Sequence, residues 1–288
     1  MPLAVVTDSS ASLPTEVADA AGIRVIPLQV VIGAESFDET SDDLSPEVLA
    51  AALKEFRPVS TSRPAPAVFS AAYEELAAAG ATAIVSVHLS GEMSGTFESA
   101  QLAARTSPIP VLAVDSRQVG IATGYAALSA AEAGAAGASA QEAALAARRR
   151  ADAATSLFYV DTLEYLRRGG RVGAAAALFG GALAVKPLLT LEDGRVHTRE
   201  KVRTASRALA RLEDLAAEAA SDLPVDVCVA HLASAERAGQ LAERLTDRLA
   251  GGLEGREVWC GEIGAALGAH VGPGMVSVCV APRLSDVD

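Results

Sequence analysis

With 288 residues, half of them hydrophobic and only three cysteines, the chain can bury a large core as one big domain or two ordinary ones, without disulfide staples. A formal net charge of −12 sets it against nucleic acid and anionic bilayers, which carry the same sign. No uncharged apolar stretch reaches the roughly 18 residues of a membrane span, because the Ala/Gly-rich run Val172 to Val185 is too short and is broken by glycines.

The first residues, Leu3-Ala-Val-Val6, read as a strand with no basic leader before it. Thr7-Asp8-Ser9-Ser10 follows, and Ser12 is placed to cap a helix beginning at Leu13-Pro14. The apolar run Ile23 to Ile32 is interrupted by Pro27, which marks an edge or bent strand, and an acidic loop comes next. Ser45-Pro46-Glu47 starts a helix through Leu53, with Ser as cap and Pro at the first helical position. Thr61-Ser62 form a loop closed by Pro64 and Pro66 before a helix over residues 67–79.

From Ala83 to Ala100 the pattern is strand, hydroxyl-rich loop, helix. Ile84, Val85 and Val87 give the strand, and Phe97, Ala100, Gln101 and Ala104 recur at helical spacing. Ser94, Gly95 and Thr96 stand at the helix N-terminus, where unpaired N–H groups and the positive dipole end suit an anion. A serine there can equally be a helix cap; the third residue after it is Phe97, so no capping box engages it. Residues 110–116 are another strand, 119–133 an Ala-rich helix, and Ser139-Ala-Gln-Glu142 a capping box. This βα repetition implies a parallel sheet, whose ligands bind at the strand C-terminal edge.

Beyond residue 156 the pattern becomes mixed α/β. Residues 157–163 form a strand and 185–191 another, which Glu192-Asp193-Gly194 turns into a hairpin partner from Arg195. A helix over 204–219, a strand over 225–230, a helix over 235–249 and strands over 256–261 and 275–280 complete it. The expected organisation is therefore an α/β chain of two domains, 1–156 with both hydroxyl loops and 157–288 with the His270 loop.

Most enzyme signatures are missing. Lys54, Lys186 and Lys201 lack the glycine of a Walker A loop, and no G-x-G-x-x-G occurs. Gly91-Glu-Met-Ser94-Gly95 is one residue out of register for a nucleophile elbow. Four histidines in no metal-binding spacing give metal catalysis no support. Cys228, Cys260 and Cys279 are unclustered, which argues for a reducing cytoplasm. His270 stands in Gly268-Ala-His-Val-Gly-Pro-Gly274, read as a tight loop. Charge is uneven: residues 148–211 hold thirteen Lys+Arg against six Asp+Glu, a local +7 that leaves −19 elsewhere. That segment is either a solvated face or one that meets an anionic partner.

Taken in order, Thr7-Asp8-Ser9, Thr61-Ser62-Arg63-Pro64, Leu89 to Ala100, Asp161 to Arg171, Lys186-Pro187 and His270-Val-Gly-Pro-Gly274 resemble the DegV family over essentially the whole length. The resemblance implies a two-domain fold, an N-terminal parallel α/β/α sheet domain and a second, mixed-sheet α/β domain. It also implies a non-catalytic, cytoplasmic subunit of a fatty acid kinase. Such a subunit holds a long-chain fatty acid between its domains and presents the carboxylate to a separate ATP-dependent kinase for acyl-phosphate formation. The fatty acid is its ligand; no cofactor, metal, nucleic acid or stable membrane insertion is expected. Carried over by position, the head-group residues are Thr61, Ser62, Ser94, Gly95, Thr96 and His270. Arg171, Arg199, Lys201 and Arg203 are the expected kinase-docking residues. Arg63 replaces the family's usual Gln and adds a cation near the head group. Two rivals remain: a lipid hydrolase or acyltransferase with Ser94 as nucleophile and His270 as base, and a lipid sensor without a kinase.

Overall fold

The computed structural model describes residues 3–41, 43–178 and 186–283. The expected strand start at Val185 and the end of the Ala/Gly-rich run lie outside the described residues. In chain order the elements are β1 (Leu3–Asp8), α1 (Thr15–Ala20), β2 (Ile23–Ile26), β3 (Gln29–Ile32), β4 (Glu35–Asp38), α2 (Pro46–Lys54), β5 (Val59–Ser62) and α3 (Pro66–Ala78). They continue with β6 (Ala83–His88), α4 (Thr96–Ala104), β7 (Val111–Asp115), α5 (Ile121–Ala135), α6 (Ala140–Ala153), β8 (Thr155–Tyr159) and α7 (Glu164–Arg168). The last are β9 (Lys186–Glu192), β10 (Arg195–Val202), α8 (Ala205–Ala220), β11 (Val225–His231), α9 (Ala235–Arg248), α10 (Ala250–Leu253), β12 (Trp259–Glu262), α11 (Ala265–Val271) and β13 (Val276–Pro282).

The chain folds as two compact units, residues 1–29, 38–40 and 61–152 in one and residues 30–37, 41–60 and 153–288 in the other. The contiguous first domain expected over 1–156 is thus interrupted. Pro27 ends β2, and the strands after it join a separate three-stranded sheet in the order β4-β3-β5. The expected acidic loop contains β4, and Thr61-Ser62, expected in a loop, close β5.

In the first unit β2-β1-β6-β7 form a parallel sheet. Alternation along each strand sends neighbours to opposite faces. Val6, Ile26 and Ile84 pack under Phe69 and Tyr73 of α3 and Ala100 and Ala103 of α4. Val5, Val85, Val87 and Val114 pack under the alanines of α5 and α6. The capping box holds: Ser139 N–H donates to Glu142 at 2.8 Å and Glu142 N–H to Ser139 Oγ at 3.3 Å. Ser12 does not cap a helix. It ends the short 3₁₀ turn Ser9–Ala11 with φ 51°, and α1 follows Pro14 with no side-chain cap.

In the second unit six strands run β10-β9-β8-β13-β11-β12. All pairs are antiparallel except β11 with β12, and the β9–β10 hairpin pairs Glu192 with Arg195 as expected. The amphipathic α8 and α9 bury Leu212, Leu215, Leu241 and Leu245 against this sheet. Ser45 caps α2 through the Val48 N–H at 3.3 Å, and α2 packs on α11. That contact is tight at Gly268, where an added Cβ would stand 2.7 Å from Leu49 and 3.1 Å from Leu232, both fully buried. Gly268→Val should therefore lower unfolding free energy by about 1 to 3 kcal/mol through overpacking, measured by urea denaturation against Gly239→Val, whose Cβ would meet nothing.

Candidate functional site

The C-terminal edge of the parallel sheet gathers the hydroxyl residues. β6 ends at His88, and the next turn hangs from Ser90, whose C=O accepts the N–H of Met93 at 3.0 Å and of Ser94 at 3.1 Å. Ser90 N–H is fixed by Gln118 C=O at 2.8 Å. Gly95 is the N-cap of α4 and brings no side chain to its amides. Ser94 Oγ lies 2.9 Å from Thr96 Oγ1 and accepts the Thr96 N–H at 3.3 Å. Thr96 is fully buried and Ser94 partly exposed, so with Thr96 donating within the pair the Ser94 O–H remains for an outside acceptor. The following helix amides have no intrahelical acceptor. The Ser94–Gly95–Thr96 corner thus offers hydroxyl and N–H donors with no fixed positive side chain among the three.

Thr61 and Ser62 precede this corner in the same unit. Thr61 is partly buried, and Ser62 is exposed, its Oγ donating to Arg63 C=O at 3.3 Å. Arg63 reaches α4: Nη1 donates to Gly95 C=O at 3.3 Å and to Glu98 at 2.6 Å. The cation expected near the head group is thus paired with an acid on an exposed surface, where such a pair contributes little. A side chain at position 95 would run into this guanidinium.

His270 is not in a tight loop. It occupies the last turn of α11, and the loop begins at Gly272. Two of the sequence motifs interlock here. The Gly169 backbone lies against the His270 ring where no Cβ would fit, and Gly272, at φ +75°, receives the Tyr165 ring the same way. Such approaches need a residue without a Cβ, and the Gly272 pair of φ 75° and ψ 168° is one that glycine adopts far more readily than any other residue. Arg171 donates to Gly169 C=O. Burial first, and then the Arg171 charge, hold His270 down at about pKa 4, so its imidazole is neutral near pH 7 and one ring N–H can donate to an oxygen.

The sequence reading missed a buried relay in the first unit. Tyr73 O–H donates to Ser86 Oγ at 2.9 Å, Ser86 Oγ lies 2.7 Å from His88 Nε2, and His88 Nδ1 lies 2.8 Å from Asp8 Oδ2. With the proton on Nδ1 each donor finds one acceptor, and the chain ends on the carboxylate. All four residues are fully buried, and burial pushes the Tyr73 phenol up to about 12. Serine, histidine and aspartate here have the spacing of a hydrolytic triad. Ser86, however, is sealed from substrate and capped by Tyr73. Asp8 was visible in Thr7-Asp8-Ser9; its partners depend on the β1–β6 register, which pairs Val6 with Ser86.

Of the expected docking residues, Arg199, Lys201 and Arg203 are exposed on or just after the edge strand β10. Arg199 falls where the β9–β10 register shifts between Thr198 and Glu200. Arg171 lies beside His270.

A parallel sheet with a hydroxyl-lined edge in one unit and a mixed sheet with a neutral histidine in the other define a two-unit α/β protein. The model of the family described as "Uncharacterised protein, DegV family" matches residues 2–283. A DegV domain-containing protein of Streptomyces coelicolor is 51% identical over 98% of this chain and 99% of its own. A solved DegV family protein from Thermus thermophilus, described by its fatty acid binding, superposes with a TM-score of 0.90 at 30% identity, covering 98% of this chain and 100% of its own. DegV from Bacillus subtilis, described as a fatty acid binding protein, gives 0.89 at 33% identity with the same coverage. The chain belongs to the DegV family. Among the described residues no helix is long and apolar enough to cross a membrane.

The depressed His270 pKa has a stability consequence. The unfolded chain binds a proton near pH 6.5 that the folded chain refuses until about pH 4, so stability conferred by the neutral ring is complete above 6.5 and lost as pH falls toward 4. The loss is roughly 2 to 3 kcal/mol. Denaturant titrations at pH 7 and pH 4.5 should show His270→Asn losing less stability on acidification than the unmodified chain, by an amount of that order.

Proposed function

We propose that this chain binds one long-chain fatty acid and presents its carboxylate to a separate ATP-dependent kinase, which forms the acyl-phosphate. The observation that carries the reading is the Ser94–Thr96 hydroxyl pair at the N-terminus of α4, whose N-cap Gly95 supplies no side chain, in a chain similar to two proteins described as fatty acid binding. Thr61, Ser62, Ser94, Gly95, Thr96 and His270 are the head-group residues. Neutral donors hold a carboxylate by hydrogen bonds without neutralising it, which leaves an oxygen reactive toward a phosphoryl donor. The tail supplies affinity: about 14 methylenes at roughly 0.8 kcal/mol each give on the order of 11 kcal/mol before the cost of association.

The hydrolase reading asks Ser94 Oγ to bond a base. Its hydrogen-bond partners among the described residues are the hydroxyl and N–H of Thr96, which supports a binding role. Arg199, Lys201 and Arg203 make an exposed basic strand edge on a chain of net charge −12, suited to a partner that carries nucleotide phosphates.

Protein purified from a bacterial host should release about one equivalent of fatty acid into an organic extract, measured by mass spectrometry. Extracts without fatty acid would sink the reading, and turnover of a long-chain acyl ester lost in Ser94→Ala would replace it with the hydrolase. Arg203→Glu should leave that lipid in place and slow acyl-phosphate formation with the kinase at least several-fold, the difference shrinking as salt is raised.

A further inference from the structure

The relay from Tyr73 to Asp8 is expensive. Three polar groups and a carboxylate are taken from water in the middle of a core that apolar side chains could fill. Its far end shows what it organises. Asp8 Oδ2, besides meeting His88, accepts the Leu89 N–H at 3.2 Å, and Oδ1 accepts the Ser10 N–H at 3.1 Å and the Ser10 hydroxyl. One carboxylate therefore clamps the backbone just after β1 and just after β6. Leu89 leads directly into Ser90, whose C=O holds the Ser94 N–H. From the Asp8 carboxylate to the Ser94–Thr96 pair every link is a hydrogen bond or a single peptide step.

We propose that Asp8 and His88 are positioning residues for the Ser94–Gly95–Thr96 corner, with Ser86 and Tyr73 holding the imidazole in the orientation the clamp requires. The inference rests on the fatty-acid reading above. Donors aimed at a carboxylate must be fixed before the ligand arrives, because a loop that orders on binding loses affinity for the head group. The imidazole is held from three sides: by Asp8, by Ser86, and by the Phe69 ring standing edge-on at 5.1 Å between centroids. A relay that served only the core would have no reason to end on the loop amides.

The experiment compares delipidated protein binding hexadecanoic acid and hexadecanol, two ligands with one tail and different heads, by competition against a fluorescent fatty acid. The unmodified chain should prefer the acid. In His88→Gln the acid-to-alcohol preference should fall roughly tenfold, the scale of a lost head-group hydrogen bond. In Tyr73→Phe, which removes one hydroxyl, it should fall about threefold. Val5→Ala, in the same sheet with no bond to the relay, lowers stability and should keep the full preference, separating positioning from loss of fold. If His88→Gln does not fold, Tyr73→Phe and Ser86→Ala carry the test. An unchanged preference in relay variants that fold and bind tail would overturn the inference and leave the relay a core feature. Equal binding of acid and alcohol by the unmodified chain would instead sink the head-group reading, and the inference with it.

Discussion

A single buried carboxylate organises the first unit. Asp8 sits fully buried at the end of β1, and its lone pairs are taken by an imidazole, two backbone amides and a serine hydroxyl. A buried anion is tolerated only when such donors surround it. Here they come from two chain segments about eighty residues apart, so the charge can be satisfied only if β1 and β6 are neighbours in one register. The hydroxyl-bearing edge is built on that pairing, and the apolar faces above and below the sheet give it rigidity.

The second unit uses close approach where the first uses hydrogen bonds. Gly169 and Gly272 let the His270 and Tyr165 rings lie on bare backbone, and Gly268 does the same for the leucines of α2 and the loop after β11. Each contact is a place where a methyl group is too large. The result is a histidine mounted at the end of a short helix, partly removed from water and beside Arg171, which explains why its ring stays neutral. Interiors packed this tightly transmit a one-carbon change directly to their neighbours.

Charge divides along similar lines. Ion pairs between helix faces, such as Arg248 with Glu213 and Asp214, are partly exposed and modest in effect. Arg199 and Lys201 stand instead on an edge strand, Arg199 at a register shift, a feature that discourages pairing with another strand.

The sequence determined most elements by itself. Short apolar runs gave the parallel strands, the Ser45-Pro46 start and the Ser139–Glu142 box gave two helix N-termini, and Glu192-Asp193-Gly194 gave the hairpin, because each rests on local chemistry. It also made Ser94-Gly95-Thr96 legible as a helix N-terminus and the ordered motifs legible as a family. What failed needed partners distant in sequence. Ser12 looks like a cap and is a left-handed turn residue; Thr61-Ser62 looks like a loop because the neighbour of its strand, β3, is not written beside it. His270, flanked by glycines, reads as a loop; those glycines are there for the rings that rest on the backbone. The segment between Gln29 and Thr61 joins the second unit for the most part because α2 finds its buried face on α11. The Tyr73–Ser86–His88–Asp8 chain was invisible for the same reason: its four members gain meaning only when strand register and helix packing bring them within hydrogen-bonding distance.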